Sequence, residues 1–483
     1  MKRLWVVVVA ASALAGCKVE VLCAQGETLC GDRCISIDVD AENCGACGVH
    51  CGSHQECAAG SCTCAPGAAL CGATCADTVT DPAHCGGCGT ACAAGEFCRA
   101  DDLGTGCDSA GCPEGLAACG HACVDHATDR FHCGACGVEC RRGESCRGGA
   151  CMPDLYVACF ATDDVRPVNA SLRSGIPQPA GDGPIALAVE GPRLHVANSL
   201  SHSVTTFSAD LRSRGYERIL GGNDLEYVTV HGGRVYVSNS SGGTLVVMDG
   251  ATGDPLDEVD LGGRAGVNPR GAAFVGDTAF VALAGETPES GGQEIALVDF
   301  SGPRGVVTSR ISVAALASPG ALAFPTGVVA VGTKVYVTIS NLGLSPYGYG
   351  YTDAAGPSKV AVIDTANGNA LSLVDLGSGC ESAGDVAAEG SRIWISCSWW
   401  MNPGIVPVDL SGEAPAVGAP VSTLGLGGPW NIAFCRGMGY VTDSWSGTLL
   451  RFDPSGASSS ATAVVCPNGP SGWAFAADVA CAP

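Results

Sequence analysis

Cysteine is the residue type whose number and spacing in this chain suggest chemistry most directly. The chain has 31 cysteines, and 24 of them lie between residues 23 and 151 in three copies of one pattern. Each copy contains a C-x2-C pair with zinc-knuckle spacing: Cys44 and Cys47, Cys85 and Cys88, Cys133 and Cys136. The even count of eight per copy, together with the export signal described below, favours disulfides over zinc. We therefore predict disulfides, and we expect neither a metal nor a cofactor.

The three copies define three modules, 23–62, 64–107 and 112–151. Each runs C-x6-C-x3-C-x9-C-x2-C-x3-C-x5-C and then reaches an eighth cysteine. Modules this short hold too few large apolar residues to bury a core, so covalent cross-links must replace it. Eight cysteines allow four disulfides, in 105 connectivities among which the sequence does not choose.

An acidic residue recurs at the end of strand-like segments, ahead of a Gly-rich or Ser-rich turn: Asp249, Asp299, Asp364, Asp409 and Asp453. Asn169 and Ser208 take the same place in two further copies. The series resembles a calcium-binding or catalytic set. However, a side chain in this position typically hydrogen-bonds the backbone of its own turn. We interpret the series as structural.

Signatures of an enzyme are few. The segment 380–384, CESAG, is close to a nucleophile elbow, but it lacks the first glycine and the strand-turn-helix context that an elbow needs. Neither a P-loop nor a dinucleotide-binding fingerprint occurs. A metal-assisted hydrolase would need converging carboxylates, for which the candidates are Asp182, Asp224, Glu381, Asp385 and Asp443. The sequence therefore makes an enzyme the less favoured interpretation.

The elements that must position these residues are short strands in a repeat. Strand-like hexamers begin at Leu155, Leu194, Val235, Ala279, Val335, Ile393 and Gly439, and a second strand follows each of them. Every hexamer but the first also follows a strand that ends in a turn, and the missing copy of that strand is residues 473–478. Repeats of roughly 40–50 residues with four strands are typical of β-propeller blades. We predict an all-β chain with a seven-bladed β-propeller over residues 154–481, whose two chain ends share one blade.

Two resemblances support this organisation. VYVSNS with TLVVMD, and GYVTDS with TLLRFD, resemble the YVTN-type repeats of surface-layer and periplasmic propellers, over about residues 154–480. Because propellers host many functions, this resemblance implies the fold rather than an activity, and its lactonase relatives keep a metal-assisted hydrolase as an alternative. The module pattern resembles the cysteine-rich module of plant stigma-specific proteins, which implies a structural or interaction role.

Six further cysteines lie in the propeller, and blade geometry suggests their partners. The loop before the first strand of a blade and the end of its hexamer lie on one face of the ring, which we call the top face. Cys380 and Cys397 hold these two places in one blade, and Cys466 and Cys159 hold them in the shared blade. The predicted disulfides are Cys380–Cys397, Cys159–Cys466 and, by elimination, Cys435–Cys481, for which Cys151–Cys481 is the alternative.

The N-terminus carries an export signal. Lys2 and Arg3 precede an apolar run over residues 4–14 that is too short to span a bilayer. The run leads into Leu14-Ala15-Gly16-Cys17, which resembles the lipobox of bacterial lipoproteins. This resemblance implies a signal peptide over 1–16, lipidation of Cys17, a short anchor over 17–22 and, since residue 18 is not aspartate, an outer-membrane location. An ordinary secretory signal with a chance cysteine is the alternative.

Charge and domain order limit the partners. The formal net charge is −23 and the pI about 4.6, which argues against nucleic acid and against an anionic membrane surface. The modules directly precede the propeller, so we expect a stiff stalk between a lipid anchor in the membrane and the ring. A membrane-anchored propeller that binds an extracellular glycan, peptide or protein is the first hypothesis. A structural envelope protein is the second, and a hydrolase is the third.

Aromatic residues gather in loops predicted for the top face of three consecutive blades. The fifth blade has a long insertion over 341–358, the sixth has SWWMNPG and the seventh has SWSG, while Trp430 falls in a loop that leads into a blade. Aromatic rings offer a large flat surface at low entropic cost, which suits sugar rings or peptide side chains. The predicted ligand-binding residues are Tyr347, Tyr349, Tyr351, Trp399, Trp400, Trp430 and Trp445, with Trp400 and Trp445 as anchors. The alternative is that these rings bury one another.

Overall fold

The computed structural model describes residues 28–483 apart from 31–32, 102–103, 222–223, 263–265, 288–291, 349, 399–402, 422–425, 456–460 and 470–473. Cys17 and the rest of the signal segment, Cys23, Tyr349, Trp399 and Trp400 therefore lie outside the described residues. The described chain is all β apart from four single-turn 3-10 helices, Phe160–Thr162, Ala314–Leu316, Thr365–Asn367 and Gly377–Gly379. Across these residues we find no helix with the length and apolar character to cross a membrane.

The modules consist of short antiparallel hairpins, and a parallel contact between β7 and β10 joins the second module to the third. Their strands are β1 (Thr28–Cys30), β2 (Arg33–Ile35), β3 (Gln55–Ala58), β4 (Ser61–Cys64), β5 (Ala68–Cys71), β6 (Thr74–Asp77), β7 (Phe97–Asp101), β8 (Gly104–Asp108), β9 (Ala117–Cys119), β10 (Ala122–Val124), β11 (Glu144–Arg147) and β12 (Ala150–Pro153).

Disulfides take the place of a core in the modules, as predicted. In the second module Cys64 bonds Cys75, and the remaining bonds are Cys71–Cys88, Cys85–Cys98 and Cys92–Cys107. The third module repeats this connectivity, first to third, second to fifth, fourth to seventh and sixth to eighth. The described part of the first module shows the last three of these bonds. The two cysteines of each C-x2-C pair thus bond different partners, which is incompatible with a shared zinc ion.

Seven four-stranded antiparallel sheets form the blades of the propeller. From the axis outward they are β42-β13-β14-β15, β16 to β19, β20 to β23, β24 to β27, β28-β29-β32-β33, β34 to β37 and β38 to β41. A separate hairpin, β30-β31, forms within the insertion of the fifth blade.

The propeller strands have the following bounds: β13 (Leu155–Cys159), β14 (Asp164–Val168), β15 (Gln178–Pro179), β16 (Pro184–Glu190), β17 (Arg193–Asn198), β18 (Ser203–Ser208), β19 (Arg214–Ile219), β20 (Leu225–His231), β21 (Arg234–Asn239), β22 (Thr244–Asp249), β23 (Pro255–Asp260), β24 (Pro269–Val275), β25 (Thr278–Leu283), β26 (Glu294–Asp299), β27 (Val306–Ser312), β28 (Pro325–Val331), β29 (Lys334–Ile339), β30 (Leu342–Leu344), β31 (Tyr351–Ala354), β32 (Lys359–Asp364), β33 (Ala370–Asp375), β34 (Ala383–Glu389), β35 (Arg392–Cys397), β36 (Gly404–Asp409), β37 (Ala416–Val417), β38 (Pro429–Cys435), β39 (Met438–Asp443), β40 (Thr448–Phe452), β41 (Ala461–Val464) and β42 (Ala476–Cys481).

The two chain ends share the first blade, as predicted. β42 pairs antiparallel with β13, placing Leu155 opposite Cys481 and Val157 opposite Val479. The expected bounds of this strand, 473–478, were wrong: it begins at Ala476 and ends at Cys481. The shift follows from the pairing, because β13 needs a partner along its whole length. This closure leaves the ring without an open seam.

Packing between neighbouring blades provides the core. The second strand of each blade is buried on both of its sides, and alternate residues face opposite neighbours. Val235 and Val237 pack with residues of the second blade, whereas Tyr236 packs against Val281 and Phe300 of the fourth. Because each such side chain contributes about 1.5–3 kcal/mol when it is buried, the period-two hexamers hold adjacent blades together.

Three disulfides cross-link the propeller: Cys159–Cys466 and Cys380–Cys397, which blade geometry predicts, and Cys435–Cys481, which was predicted by elimination. The first joins residues 307 positions apart at the shared blade. The alternative Cys151–Cys481 is excluded because Cys151 bonds Cys140 within its own module.

The modules do not form the extended stalk that we expected. Glu56 of the first module is almost fully buried and makes ion pairs with Arg142 of the third module (2.9 Å) and with Arg173 of the first blade (2.5 Å). The first module therefore folds back onto both the third module and the ring. The sequence gives no sign of this, because the partners are 86 and more positions away and no sequence pattern links them to Glu56. We call the docked modules, residues 28–153, the module base.

A buried aspartate fixes the module base to the ring. Asp154 separates β12 from β13, and it accepts hydrogen bonds from Ser145 Oγ (2.7 Å) and from the backbone N–H of Ala170 (2.8 Å). Arg436 Nη1 of the seventh blade also donates to it, at 2.8 Å. One carboxylate thus joins the third module, the first blade and the seventh blade.

Candidate ligand-binding cavity on the propeller axis

The residues around the propeller axis are positioned by a bulge that recurs in every blade. The seven strands nearest the axis are β16, β20, β24, β28, β34, β38 and β42, and each packs against two others to close a ring. Each inner strand has one residue more than its partner near its top end, where the register shifts. A bulge frees residues from cross-strand pairing and re-aims their side chains. In six of the seven blades the freed residues turn toward the axis.

Hydroxyl groups brace these bulges. Ser238 Oγ donates to the carbonyl of Arg270 in the next blade (2.6 Å), and Ser396 Oγ donates to the carbonyl of Trp430 (2.6 Å). Thr338 Oγ1 makes the equivalent bond to Gly384 at 2.7 Å. Each is the fourth residue of its hexamer, so a hydroxyl at that position satisfies backbone groups that the bulge leaves without a strand partner.

A cavity of about 210 Å3 lies among the bulges, toward the top face of the ring. Six blades contribute to its wall, mostly through the second and third residues of their inner strands. Its charged and aromatic lining residues are Glu226, Tyr227, Arg270, Phe324, Asp385 and Trp430.

One side of the cavity holds a neutralised ion pair. Arg270 Nη1 lies 2.6 Å from Glu226 Oε2, and the Arg270 guanidinium stands over the Phe324 ring, 5.5 Å from its centroid. Burial raises the pKa of Glu226, and the attraction of Arg270 opposes that rise. These two charges largely cancel.

Two interacting aspartates have raised proton affinities: Asp385 lines the other side of the cavity, whereas Asp478 of the first blade lies outside the lining. Burial raises the pKa of Asp385 to about 6, although a hydrogen bond from the backbone N–H of Ile432 (3.3 Å) acts to lower it. Burial raises the pKa of Asp478 to about 8, although Leu187 N–H donates to it at 2.6 Å, and the charge of Asp385 adds to the rise. Burial and these two aspartates also raise the pKa of Tyr227. Near neutral pH the two aspartates therefore hold about one proton between them.

Of the five carboxylates proposed for a hydrolase, only Asp385 lines the cavity. Asp443 accepts hydrogen bonds from the backbone N–H groups of Gly427 (2.9 Å) and Trp445 (2.7 Å), and Asp224 accepts one from Ser199 Oγ (2.8 Å). Asp182 is exposed, and Glu381 is half-buried outside the lining. Within the described residues, groups of three potential metal ligands occur in the modules alone, where the cysteines form disulfides. The convergence that a hydrolase would need therefore does not occur among these five carboxylates.

Sequence reasoning missed Glu226, Tyr227, Arg270 and Asp478. Their common signal is a polar or aromatic residue just inside the start of an inner strand, where period-two alternation alone would place a core residue. The bulge changes that phase, and without knowing its position the sequence does not show which side chain reaches the axis.

The described aromatic candidates fall into two groups. Trp430 lies in β38 rather than in a loop, because the inner strand already begins at Pro429, and it lines the cavity while remaining 38% exposed. Trp445 and Tyr347 are 63% and 80% exposed in loops of the top face. Tyr351 begins β31 and is half-buried.

The acidic turn series has the structural role that the sequence predicts. Asp249 Oδ1 accepts from the backbone N–H groups of Ala251 (2.9 Å) and Thr252 (2.8 Å), and these bonds lower its pKa. Asp299, Asp364, Asp409 and Asp453 each accept from the N–H two residues ahead. Asn169 Oδ1 accepts from Ser171 N–H at 3.1 Å, and Ser208 Oγ from Ser213 N–H at 3.0 Å. These side chains order turns away from the cavity.

Comparisons with known proteins show the fold and no activity. No family model matches the chain, and no curated protein matches it. A solved structure of a protein from Lactobacillus plantarum is similar with a TM-score of 0.51 and 12% identity, over 68% of this chain and 98% of that one. A putative 6-phosphogluconolactonase from Bacteroides fragilis (TM-score 0.48, 13% identity, 68% and 96% covered) and BamB from Moraxella catarrhalis (0.41, 15%, 65% and 87%) are also similar. At these identities the similarity shows a β-propeller and nothing further.

Proposed function

We propose that this chain is a lipid-anchored protein of the bacterial cell envelope whose propeller binds a ligand in the axial cavity. The observation that carries the proposal is the position of the cavity relative to the module base. The cavity lies where the inner strands begin, toward the top face. The module base contacts the opposite face, where Arg142 Nε donates to Ser174 O (2.9 Å) and Arg147 Nη1 to Pro483 O (2.7 Å). An anchor at the N-terminus therefore leaves the cavity facing away from the membrane.

The wall of the cavity supports binding rather than packing. It combines charged groups with three aromatic rings, a mixture typical of ligand sites and unusual for the interior of a protein. Trp430 is exposed enough to meet a ligand that enters from the top face. The similarity of Leu14-Ala15-Gly16-Cys17 to a lipobox and the disulfide-rich modules support export and anchoring.

Lipidation is tested at Cys17. We expect Cys17→Ser to abolish labelling by radioactive palmitate and to release the protein from the membrane fraction, because the cysteine sulfur would carry the lipid. Lys18→Asp is the matched control: it should keep the label, and a shift to the inner membrane would support outer-membrane sorting in the wild type. An unlabelled wild-type protein that is nevertheless exported would contradict the anchor.

Binding is tested with a glycan and peptide array probed with the full chain in detergent. We expect Trp430→Ala to weaken a genuine ligand about tenfold or more, because a central aromatic side chain supplies much of the contact energy. The Tm should change by no more than about 2 °C, since Trp430 is partly exposed.

Trp445→Ala is the matched comparison for this experiment. If the ligand depends on Trp445 and not on Trp430, the exposed loops of the top face form the site and the axial cavity does not. If no array ligand depends on either residue, the proposed binding function is wrong.

A further inference from the structure

We infer that the axial cavity binds an organic cation, a protonated amine or quaternary ammonium group, with Asp385 as its counter-ion and Trp430 against its face. This inference rests on the proposed ligand-binding function of the same cavity and names the chemical class of the ligand.

The balance of charge in the cavity points to a cation. Glu226 and Arg270 neutralise one another at 2.6 Å. Asp385 remains in the wall, Asp478 lies near it outside the lining, and no lysine or arginine among the described residues forms an ion pair with either of them. Ionising two neighbouring, partly buried carboxylates together is costly, and a bound cation lowers that cost. A neutral ligand would leave it in place.

The aromatic lining suits the same ligand. The faces of aromatic rings attract cations within about 6 Å, and Trp is the strongest of the three aromatic side chains in this respect. The cavity already contains one such contact, since the Arg270 guanidinium lies 5.5 Å from the centroid of the Phe324 ring. Trp430 and Tyr227 offer further rings around the remaining space of about 210 Å3, which has room for an ammonium head group.

Proton linkage follows from the two aspartates. Asp385 belongs to the cavity wall, together with the charged or titratable groups Glu226, Tyr227 and Arg270, and Asp478 lies near it outside the lining. With pKa values of about 6 and 8, Asp385 and Asp478 share about one proton at pH 7. A cation favours the ionised carboxylates, so binding at pH 7 releases part of that proton. As pH falls below 6 both groups become protonated, and affinity for the cation falls.

The experiment uses isothermal titration calorimetry of the full chain with tetramethylammonium, whose charge does not depend on pH, and with the neutral isostere tert-butanol. We expect tetramethylammonium to bind and tert-butanol to bind about tenfold more weakly or not at all. Affinity for tetramethylammonium should fall about tenfold between pH 7.5 and 5.5. The apparent enthalpy at pH 7 should differ between phosphate and Tris buffers, because binding releases protons.

Variants locate the site. Asp385→Asn should weaken tetramethylammonium about tenfold or more. Asp478→Asn fixes the neutral form that Asp478 mostly has at pH 7, so it should weaken binding less and reduce the proton release. Asp409→Asn, which removes a carboxylate in a remote turn, should change neither. If an aspartate variant fails to fold, the proton release measured with the wild-type protein still tests the inference. Equal affinity for tert-butanol, or no proton release, overturns the inference. If a neutral array ligand depends on Trp430 while tetramethylammonium does not bind, the proposed binding function stands and the cation inference is wrong.

Discussion

Replacing Cys159 and Cys466 together by alanine is expected to lower the free energy of unfolding by about 5–6 kcal/mol. The bond joins residues 307 positions apart, and the entropy that a cross-link removes from the unfolded chain grows with the length of the loop it closes. Denaturation in urea under non-reducing conditions measures the loss. The variant should also expose the shared blade first, because the bond ties the first strand of the ring to the segment that leads into the last.

Cys380→Ala with Cys397→Ala provides the matched control. All four cysteines are fully buried, so the loss of side-chain volume is comparable, but this loop spans only 17 positions. The same relation gives a loss of about 3 kcal/mol for the control. Equal losses for the two double variants would show that ring closure contributes no additional stability and that local packing accounts for both effects.

The second large effect is expected at Glu56, where Glu56→Gln should release the first module from the ring. Its carboxylate pairs with Arg142 and Arg173 in a nearly buried site, and removing the negative charge leaves two guanidinium groups facing one another. Removing one partner from a buried ion pair typically costs about 3–5 kcal/mol. In this protein the cost would reduce the free energy that holds the first module against the ring. Small-angle X-ray scattering should show a larger radius of gyration.

Glu42→Gln is the control for this change. Glu42 belongs to the same module, and its one ion pair among the described residues is with His50. Both side chains are largely exposed, so removing the charge should leave the scattering curve unchanged. A Glu56→Gln protein that keeps the wild-type radius of gyration would show that the disulfides and the remaining contacts hold the module base without this charge.

Repetition explains why the ring was predictable from the sequence. The hexamers recur with a constant phase, and the strand missing from the first copy reappears at the C-terminus, so the number of blades, the shared blade and the positions of the propeller cysteines follow from counting. Blade geometry then leaves Cys380 close to Cys397 and Cys159 close to Cys466, because paired places on one face are within disulfide reach.

The cavity was only partly predictable because it depends on breaks in that repetition. A single extra residue in each inner strand reverses which side chain faces the axis, and this brings Glu226 and Arg270 into the wall of the cavity. Asp385 was recognised as a candidate, but its partners were not, since they come from blades distant in sequence. The docking of Glu56 likewise depends on a contact between unlike domains, for which no periodic signal exists.

The place where the chain enters the ring has a mechanical consequence. Tension between the N-terminal modules and a ligand on the opposite face would reach the propeller through Asp154 and pull β13 along its own length. β13 lies between β14 and β42 and pairs with both, so such a pull loads its hydrogen bonds in parallel, in shear, instead of opening them one after another. The Cys159–Cys466 disulfide at the far end of β13 covalently prevents the strand from being pulled out of the sheet. The seam between the chain ends is therefore a strong point of the ring under load.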